Sequence, residues 1–255
     1  MADDTYDVVV VGGGVAGRSA AIYTARNDLE TLILDAGGSI LRRNARLENY
    51  PGFPAGVDAR LLLDAMADHA ERAGCESREA EVTRVSRADD GGDDEATTGR
   101  RFVVETADGD SYRSRYVVAA TKNATDYLEP LGALELVERG KTFVSTDERG
   151  RSSVEGLYAA GRLAGKPHQA IVAAGHGAEV AVTLLEDDDR PFYHDWVAPE
   201  RYFTGRGRDV PPGCEEIDDA ERERREADSL AVMGDYFADS RDDDPEMHPS
   251  VADEE

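Results

Sequence analysis

The chain has 255 residues, 40% of them apolar, enough for one large domain or two small ones around a proper core. It carries 54 acidic against 29 basic residues, a formal charge of −25, which argues against nucleic acid or an anionic membrane as a partner. No apolar run has the length of a membrane span, Cys75 and Cys214 form neither a disulfide framework nor a zinc motif, and the acidic start is unlike a secretory signal, so a cytoplasmic protein without a metal site is expected.

Tyr6–Val11 reads as a buried strand, Gly12–Gly17 as a glycine-rich turn, Arg18–Asn27 as a helix and Leu29–Asp35 as a second strand, together a βαβ unit. Leu41–Val57 is irregular, with Pro51, Gly52, Pro54 and Gly56. Asp58 is placed to cap a helix running to Ala73, with Leu61, Leu62, Ala65, Met66 and His69 on one face. Glu81–Arg87 and Arg101–Thr106 are expected strands joined by an acidic hairpin loop, Ala88–Gly99, and Tyr112–Ala120 is another. Asp126–Gly140 is short and mixed. Strands are expected at Thr142–Ser145 and Gly156–Ala160, and Pro167–Leu185 as a helix rich in Ala and Gly, suited to close packing on a sheet or cofactor. Beyond Asp187 the aromatics Phe192, Tyr193, Trp196, Tyr202 and Phe203 form a cluster, Glu215–Phe237 is a charged helix, and Asp239–Glu255 is expected to be disordered.

These elements predict an α/β, Rossmann-like fold: a central parallel sheet, a small antiparallel β-meander over Glu81–Thr106, and an acidic C-terminal extension. The expected division is one dinucleotide-binding domain over 1–187, built from halves 1–125 and 141–187 with a linker at 126–140. A packed extension at 188–238 and a tail at 239–255 follow. Lys122, Lys141 and Lys166 are the chain's lysines, and scarce lysine with dispersed Asp and Glu suits a halophile-type surface, whose self-repulsion fades at molar salt where the screening length is about 3 Å. An ordinary acidic protein with an acidic tail is the other reading.

Gly12-Gly13-Gly14-Val15-Ala16-Gly17 carries the chemistry. Gly12, Gly14 and Gly17 match the pattern in which the first glycine permits the turn, the second lets backbone approach a pyrophosphate and the third seats helix on strand. Helix amides, Val15 and Ala16 included, then face phosphate charge. Asp35 closes the next strand 18 residues after Gly17, where a carboxylate can accept from ribose hydroxyls. Taken alone, the motif leaves FAD, NAD and a ligand-free tight turn open.

Leu47-Glu48-Asn49-Tyr50-Pro51-Gly52-Phe53-Pro54 resembles the "ENYPGF" segment of thioredoxin-reductase-like flavoproteins. Gly156-Leu157-Tyr158-Ala159-Ala160-Gly161 resembles that family's strand before its second flavin-contacting turn. His168-Gln169-Ala170 with Ala173-Ala174-Gly175-His176-Gly177 resembles its "RQA…AAGxG" helix start. The resemblance covers about residues 5–125 and 141–187. It implies FAD, with the pyrophosphate on the glycine loop and further contacts at Asn49, Val82, Thr121, Gly161, Gln169 and Ala170.

Three departures accompany it. Only 126–140 joins the two halves where the family has a nicotinamide domain, so a second glycine loop and a C-x-x-C are missing. The family's "AGD" turn reads Ala160-Gly161-Arg162, and a guanidinium cannot accept the ribityl hydrogen bond that an Asp accepts, although it can pair with a phosphate. Its "ATG" strand end reads Ala120-Thr121-Lys122. The expected function is an FAD-dependent oxidoreductase taking electrons from a small-molecule substrate or redox partner protein, with a homodimer left open. The alternatives are a non-catalytic dinucleotide-binding or scaffold protein derived from a flavoenzyme, or an enzyme using NAD in the single site. His168 and His176 would both lie near a flavin, where one could donate a proton, or else be exposed or capping histidines.

Overall fold

The computed structural model describes residues 4–88, 101–248 and 250. β1 (Asp4–Val11) runs through the glycine turn into α1 (Val15–Arg26) and returns along β2 (Thr31–Asp35), the βαβ unit that the apolar runs predict. A turn of 3-10 helix at Ile40–Arg43 opens the irregular segment, and a bridge between Leu47 and Val57 closes it. α2 (Ala59–Arg72) starts on Asp58, whose carboxylate accepts from the Arg60 and Leu61 amides. Such a cap contributes about 1 kcal/mol. β3 (Glu76–Glu79) pairs with β2 at the sheet edge. Its residues are polar and none is buried, so no apolar period marks it in the sequence.

β4 (Val82–Arg87) and β5 (Phe102–Thr106) pair antiparallel, and β5 pairs antiparallel with β6 (Ser111–Ala119). Beyond Ala88, the expected acidic hairpin loop lies outside the described residues. In the connection after β6, a 3-10 turn at Asp126–Leu131 is followed by a small antiparallel pair, β7 (Leu136–Glu138) with β8 (Thr142–Val144). β9 (Leu157–Ala159) then rejoins the main sheet, and α3 (Ala170–Asp187) follows.

The sheet order β3-β2-β1-β6 is parallel throughout. β6 then serves two neighbours along one edge. Ser111–Ser114 holds the meander, while Val117–Ala119 pairs in parallel with β9. β1 is buried on both faces because each face has a cover. Val8 and Val10 pack with Ala20 and Ala21 of α1 and Val180 and Leu184 of α3. Val9 and Val11 pack with Phe102 and Val104 of the meander and Leu128 of the connection. The Ala and Gly content of α3 serves contact with α1 rather than with the sheet alone: a Cβ on Gly177 would stand 2.0 Å from the Ala16 carbonyl oxygen.

After α3, Arg190 pairs with Asp7 at 2.7 Å and Asp195 with Arg26 at 2.7 Å, fastening the extension to the body. The expected aromatic cluster divides. Trp196, Tyr202 and Phe203 stack edge to face, Phe192 joins the core beside α1 and α3, and Tyr193 is 55% exposed. β10 (Trp196–Pro199) and β11 (Cys214–Ile217) form a separate parallel pair. The segment expected to be helical from Glu215 therefore begins as a strand, and α4 spans Asp219–Tyr236. The reason is a contact through space: the Glu216 carboxylate accepts from the Arg201, Phe203 and Thr204 amides and holds the preceding loop. α4 buries no residue and is laced by pairs such as Arg225–Glu221 at 2.7 Å.

The acidic tail, expected to be disordered from Asp239, is anchored along its described part. The buried Arg60 guanidinium donates to the Asp243 carbonyl at 2.6 Å, and Arg241 pairs with Asp64. Two cations on and beside α2 thus hold carboxylates and backbone that composition alone assigns to solvent. Among the described residues no helix is long and apolar enough to cross a membrane.

Candidate functional site

The carboxyl ends of β1, β2, β6 and β9 converge on one cavity of about 820 Å³, reached by Val11, Asp35, Ala120 and Ala160. Strand order reverses at β1, where the chain proceeds to β2 on one side and later to β6 on the other. In open parallel sheets, ligands bind at such a crevice.

The glycine loop forms one wall. Gly12 has φ +103°, and a Cβ there would stand 2.8 Å from the Ala120 carbonyl oxygen, so the turn needs glycine for conformation and for space. Gly14 lines the cavity with the nearest atom to a Cβ being Ser39 Oγ at 3.9 Å, so its open side is the cavity itself. Val15 and Ala16 also line it. Gly17 does not. It lies behind the loop, where a Cβ would stand 1.9 Å from the Gly12 carbonyl oxygen, and so seats α1 on β1.

Asp35 lines the cavity from the end of β2. One of its oxygens accepts from the Gly37 amide at 3.1 Å and the other lies 3.7 Å from the Arg18 guanidinium. Thr121 and Val82 contribute to the wall, and Thr121 Oγ1 donates to the Ala124 carbonyl at 2.8 Å. Asn49 and Gln169, which the sequence places 120 residues apart, meet in the cavity wall, with Asn49 Nδ2 donating to Gln169 Oε1 at 2.9 Å. Ala170 opens α3 beside them, so that helix directs free amides toward the cavity. Arg162 lines it as well, while Gly161, at φ +63°, stands behind, where a Cβ would meet that of Ala16 at 2.8 Å.

The two histidines part company. His168 lines the cavity. His176 is buried and does not. Its Nδ1 accepts from the Gly161 amide at 2.9 Å, which leaves the proton on Nε2, and that nitrogen has no hydrogen-bond partner. Burial, helped by Lys166, pushes His176 down to about 4. It holds the Gly161 turn and is no proton donor to a cavity ligand. Because its native value lies below the ordinary 6.5, its contribution to stability is complete above pH 6.5 and is lost as pH falls toward 4. His176→Asn, which keeps an acceptor for Gly161, is expected to lose less stability than the parent between pH 6.5 and 4, by on the order of 3 kcal/mol at most. Urea midpoints across that range check this; parallel curves would contradict it.

Sequence reading missed Ser39, Glu81 and Tyr127 as wall residues. Gly37-Gly38-Ser39 directly after Asp35 is the turn that could have signalled the first. Tyr127 comes from the connection after β6, where no motif points to it.

No protein-family model matches the chain. A bifunctional thioredoxin reductase/thioredoxin from Mycobacterium leprae is 35% identical over 143 residues, 55% of this chain and 29% of that protein. A thioredoxin reductase from Listeria monocytogenes is 34% identical over 142 residues, 54% of this chain and 40% of the relative. The chain thus spans well under half the length of these curated relatives. A solved thioredoxin reductase from Gloeobacter violaceus superposes with a TM-score of 0.62 at 20% identity, covering 74% of this chain and 99% of that one. One from Lactococcus lactis gives 0.61 at 18% identity, over 71% and 98%.

The chain is thioredoxin-reductase-like.

Within this thioredoxin-reductase-like fold, the positions of Arg162 and Lys122 matter most, because both departures from the family pattern line the cavity. Lys122 has φ +64°, a left-handed conformation that glycine adopts freely and lysine does not.

Proposed function

We propose that this chain is an FAD-binding oxidoreductase whose electrons arrive from a small-molecule substrate or a redox partner protein rather than from a nicotinamide domain of its own. The observation that carries the reading is that one cavity is lined both by the glycine loop with Asp35 and by the amino end of α3 with Gln169 and Ala170. The residues fit the group. Gly14 leaves the space a pyrophosphate needs, Asp35 offers a carboxylate to a ribose, and a helix amino end suits the electron-rich side of a flavin. Bound FAD would supply the hydride and electron chemistry. The chain's part is to hold it, exclude water with the apolar wall at Val82 and Ala173, and set the local charge.

A second reading, a dinucleotide-binding protein without catalysis, is favoured by Arg162, which cannot accept the hydrogen bond an Asp would accept there. Anaerobic mixing separates the possibilities. Dithionite is expected to bleach the bound flavin, and NADPH is expected not to bleach it at a saturable, rapid rate. Fast saturable bleaching by NADPH would establish a nicotinamide site and refute an outside donor. A flavin that no small reductant or redox protein turns over would favour the non-catalytic reading.

A further inference from the structure

Most arginines in this chain are neutralised where they stand. Arg26 meets Asp195 at 2.7 Å, Arg151 meets Asp187 at 2.6 Å and Arg225 meets Glu215 at 2.7 Å. With 54 acidic residues to 29 basic ones, most arginines on this surface have a carboxylate within reach. Two cations at the cavity do not. Lys122 and Arg162 line it, and among the described residues neither side chain has an ion pair or a hydrogen bond. Burial, and after it the charges of Lys141, Arg162 and Arg43, lower the Lys122 pKa, although Lys141 and Arg43 do not themselves line the cavity. His168 lines the same cavity, and burial, followed by the charges of Arg162, Lys122 and Lys141, lowers its pKa.

Two unpaired cations, Lys122 and Arg162, therefore line one cavity in a protein of charge −25. Lys122 is held there in a left-handed backbone conformation that disfavours every residue with a side chain. Like charges held close repel, and unpaired ones repel most, so the arrangement is unfavourable until an anion enters. The amino end of α3, an 18-residue helix, opens on the same cavity and adds backbone amides of the matching sign. A guanidinium beside an ammonium suits a carboxylate or phosphate: the first grips two oxygens, and the second supplies a compact charge.

We propose that this part of the cavity binds a small dianion, carboxylate or phosphate in kind, as the substrate or electron donor that works beside the cofactor. Its role as substrate rests on the flavin reading, whereas its binding does not. The pyrophosphate of a cofactor already has the glycine loop and the amides of α1.

The purified full chain, in KCl sufficient to keep it folded, is titrated with inorganic phosphate and, separately, with malonate. Binding is read by calorimetry and by the flavin absorption band, and flavin content is measured on the same samples. At least one anion is expected to bind saturably, more weakly as KCl rises, and whichever binds tighter names the class. Affinity is expected to fall tenfold or more in Arg162→Gln and in Lys122→Gly, the latter also relieving the backbone and so favouring the fold. Loss of anion binding with flavin retained supports the proposal. Loss of flavin in the variants would assign the cations to the cofactor's own phosphates and overturn it. Unchanged anion affinity, or no saturable binding by the parent protein, would overturn it as well. A colourless protein that binds the anion through Arg162 would keep the anion site and sink the flavin reading.

Discussion

Gly177→Ala is expected to destabilise the fold by about 3 kcal/mol or more, against the direction helix propensity predicts. In the interior of α3, alanine should favour the helix by up to ~1 kcal/mol over glycine. At Gly177, however, the new Cβ would stand 2.0, 2.8 and 2.9 Å from the carbonyl oxygen, carbonyl carbon and Cα of Ala16. All three are backbone atoms of the first turn of α1, and that turn cannot yield without moving the glycine loop. Overpacking into a site of this kind costs ~1–3 kcal/mol where side chains can shift, and more where they cannot. Gly175 supplies the control. It lies two residues earlier on the same helix, and a Cβ there would have no atom within 4 Å. Gly175→Ala is therefore expected to be neutral or stabilising by up to ~1 kcal/mol. Urea midpoints of the two variants check the pair. Equal effects would show that α1 and α3 do not touch through Gly177.

Gly14→Val is expected to empty the cavity while leaving the fold intact. Gly14 has φ −73° and ψ −178°, an extended conformation that a β-branched residue adopts without strain. The nearest protein atom to a Cβ is 3.9 Å away, so the added side chain meets no backbone and projects where the glycine loop would receive phosphates. A hundredfold or greater loss of dinucleotide affinity, about 3 kcal/mol, is expected with the thermal midpoint nearly unchanged. Gly17 lies three residues on and would answer differently: a Cβ 1.9 Å from the Gly12 carbonyl oxygen threatens the fold itself. The contrast between Gly14 and Gly17 separates the residue that faces a ligand from the one that supports the loop. A Gly14→Val protein with parental flavin content would show that the pyrophosphate lies elsewhere.

Much of this arrangement is legible from residues alone, and the reasons are physical. Tyr6–Val11 and Leu29–Asp35 stand out because parallel strands covered on both faces need continuous apolar runs. Asp58 stands out because an unsatisfied helix amino end needs an acceptor. β3 is hidden because an exposed edge strand, Glu76–Glu79, has no buried face to impose a period. β11 is hidden because the charges of Cys214–Ile217 merge with the ion-pair ladder of α4, and what sets them apart is a loop that Glu216 holds through space. In the site, resemblance brought Asn49 and Gln169 forward separately, but their mutual hydrogen bond comes from the meeting of an irregular segment with the start of α3. His176 was misplaced for the same kind of reason. One turn of helix separates a residue at the cavity from one buried behind it, and sequence distance does not tell the two faces apart.

The central claim is that this cavity is built for FAD. Its most direct test is the nucleotide released when the natively purified, full-length protein is denatured, identified by mass and counted against protein. The account predicts FAD, approaching one per chain, with a matching flavin absorption band before release. Release of NAD in its place, or a protein that neither carries an adenine dinucleotide nor takes up added FAD, would contradict it.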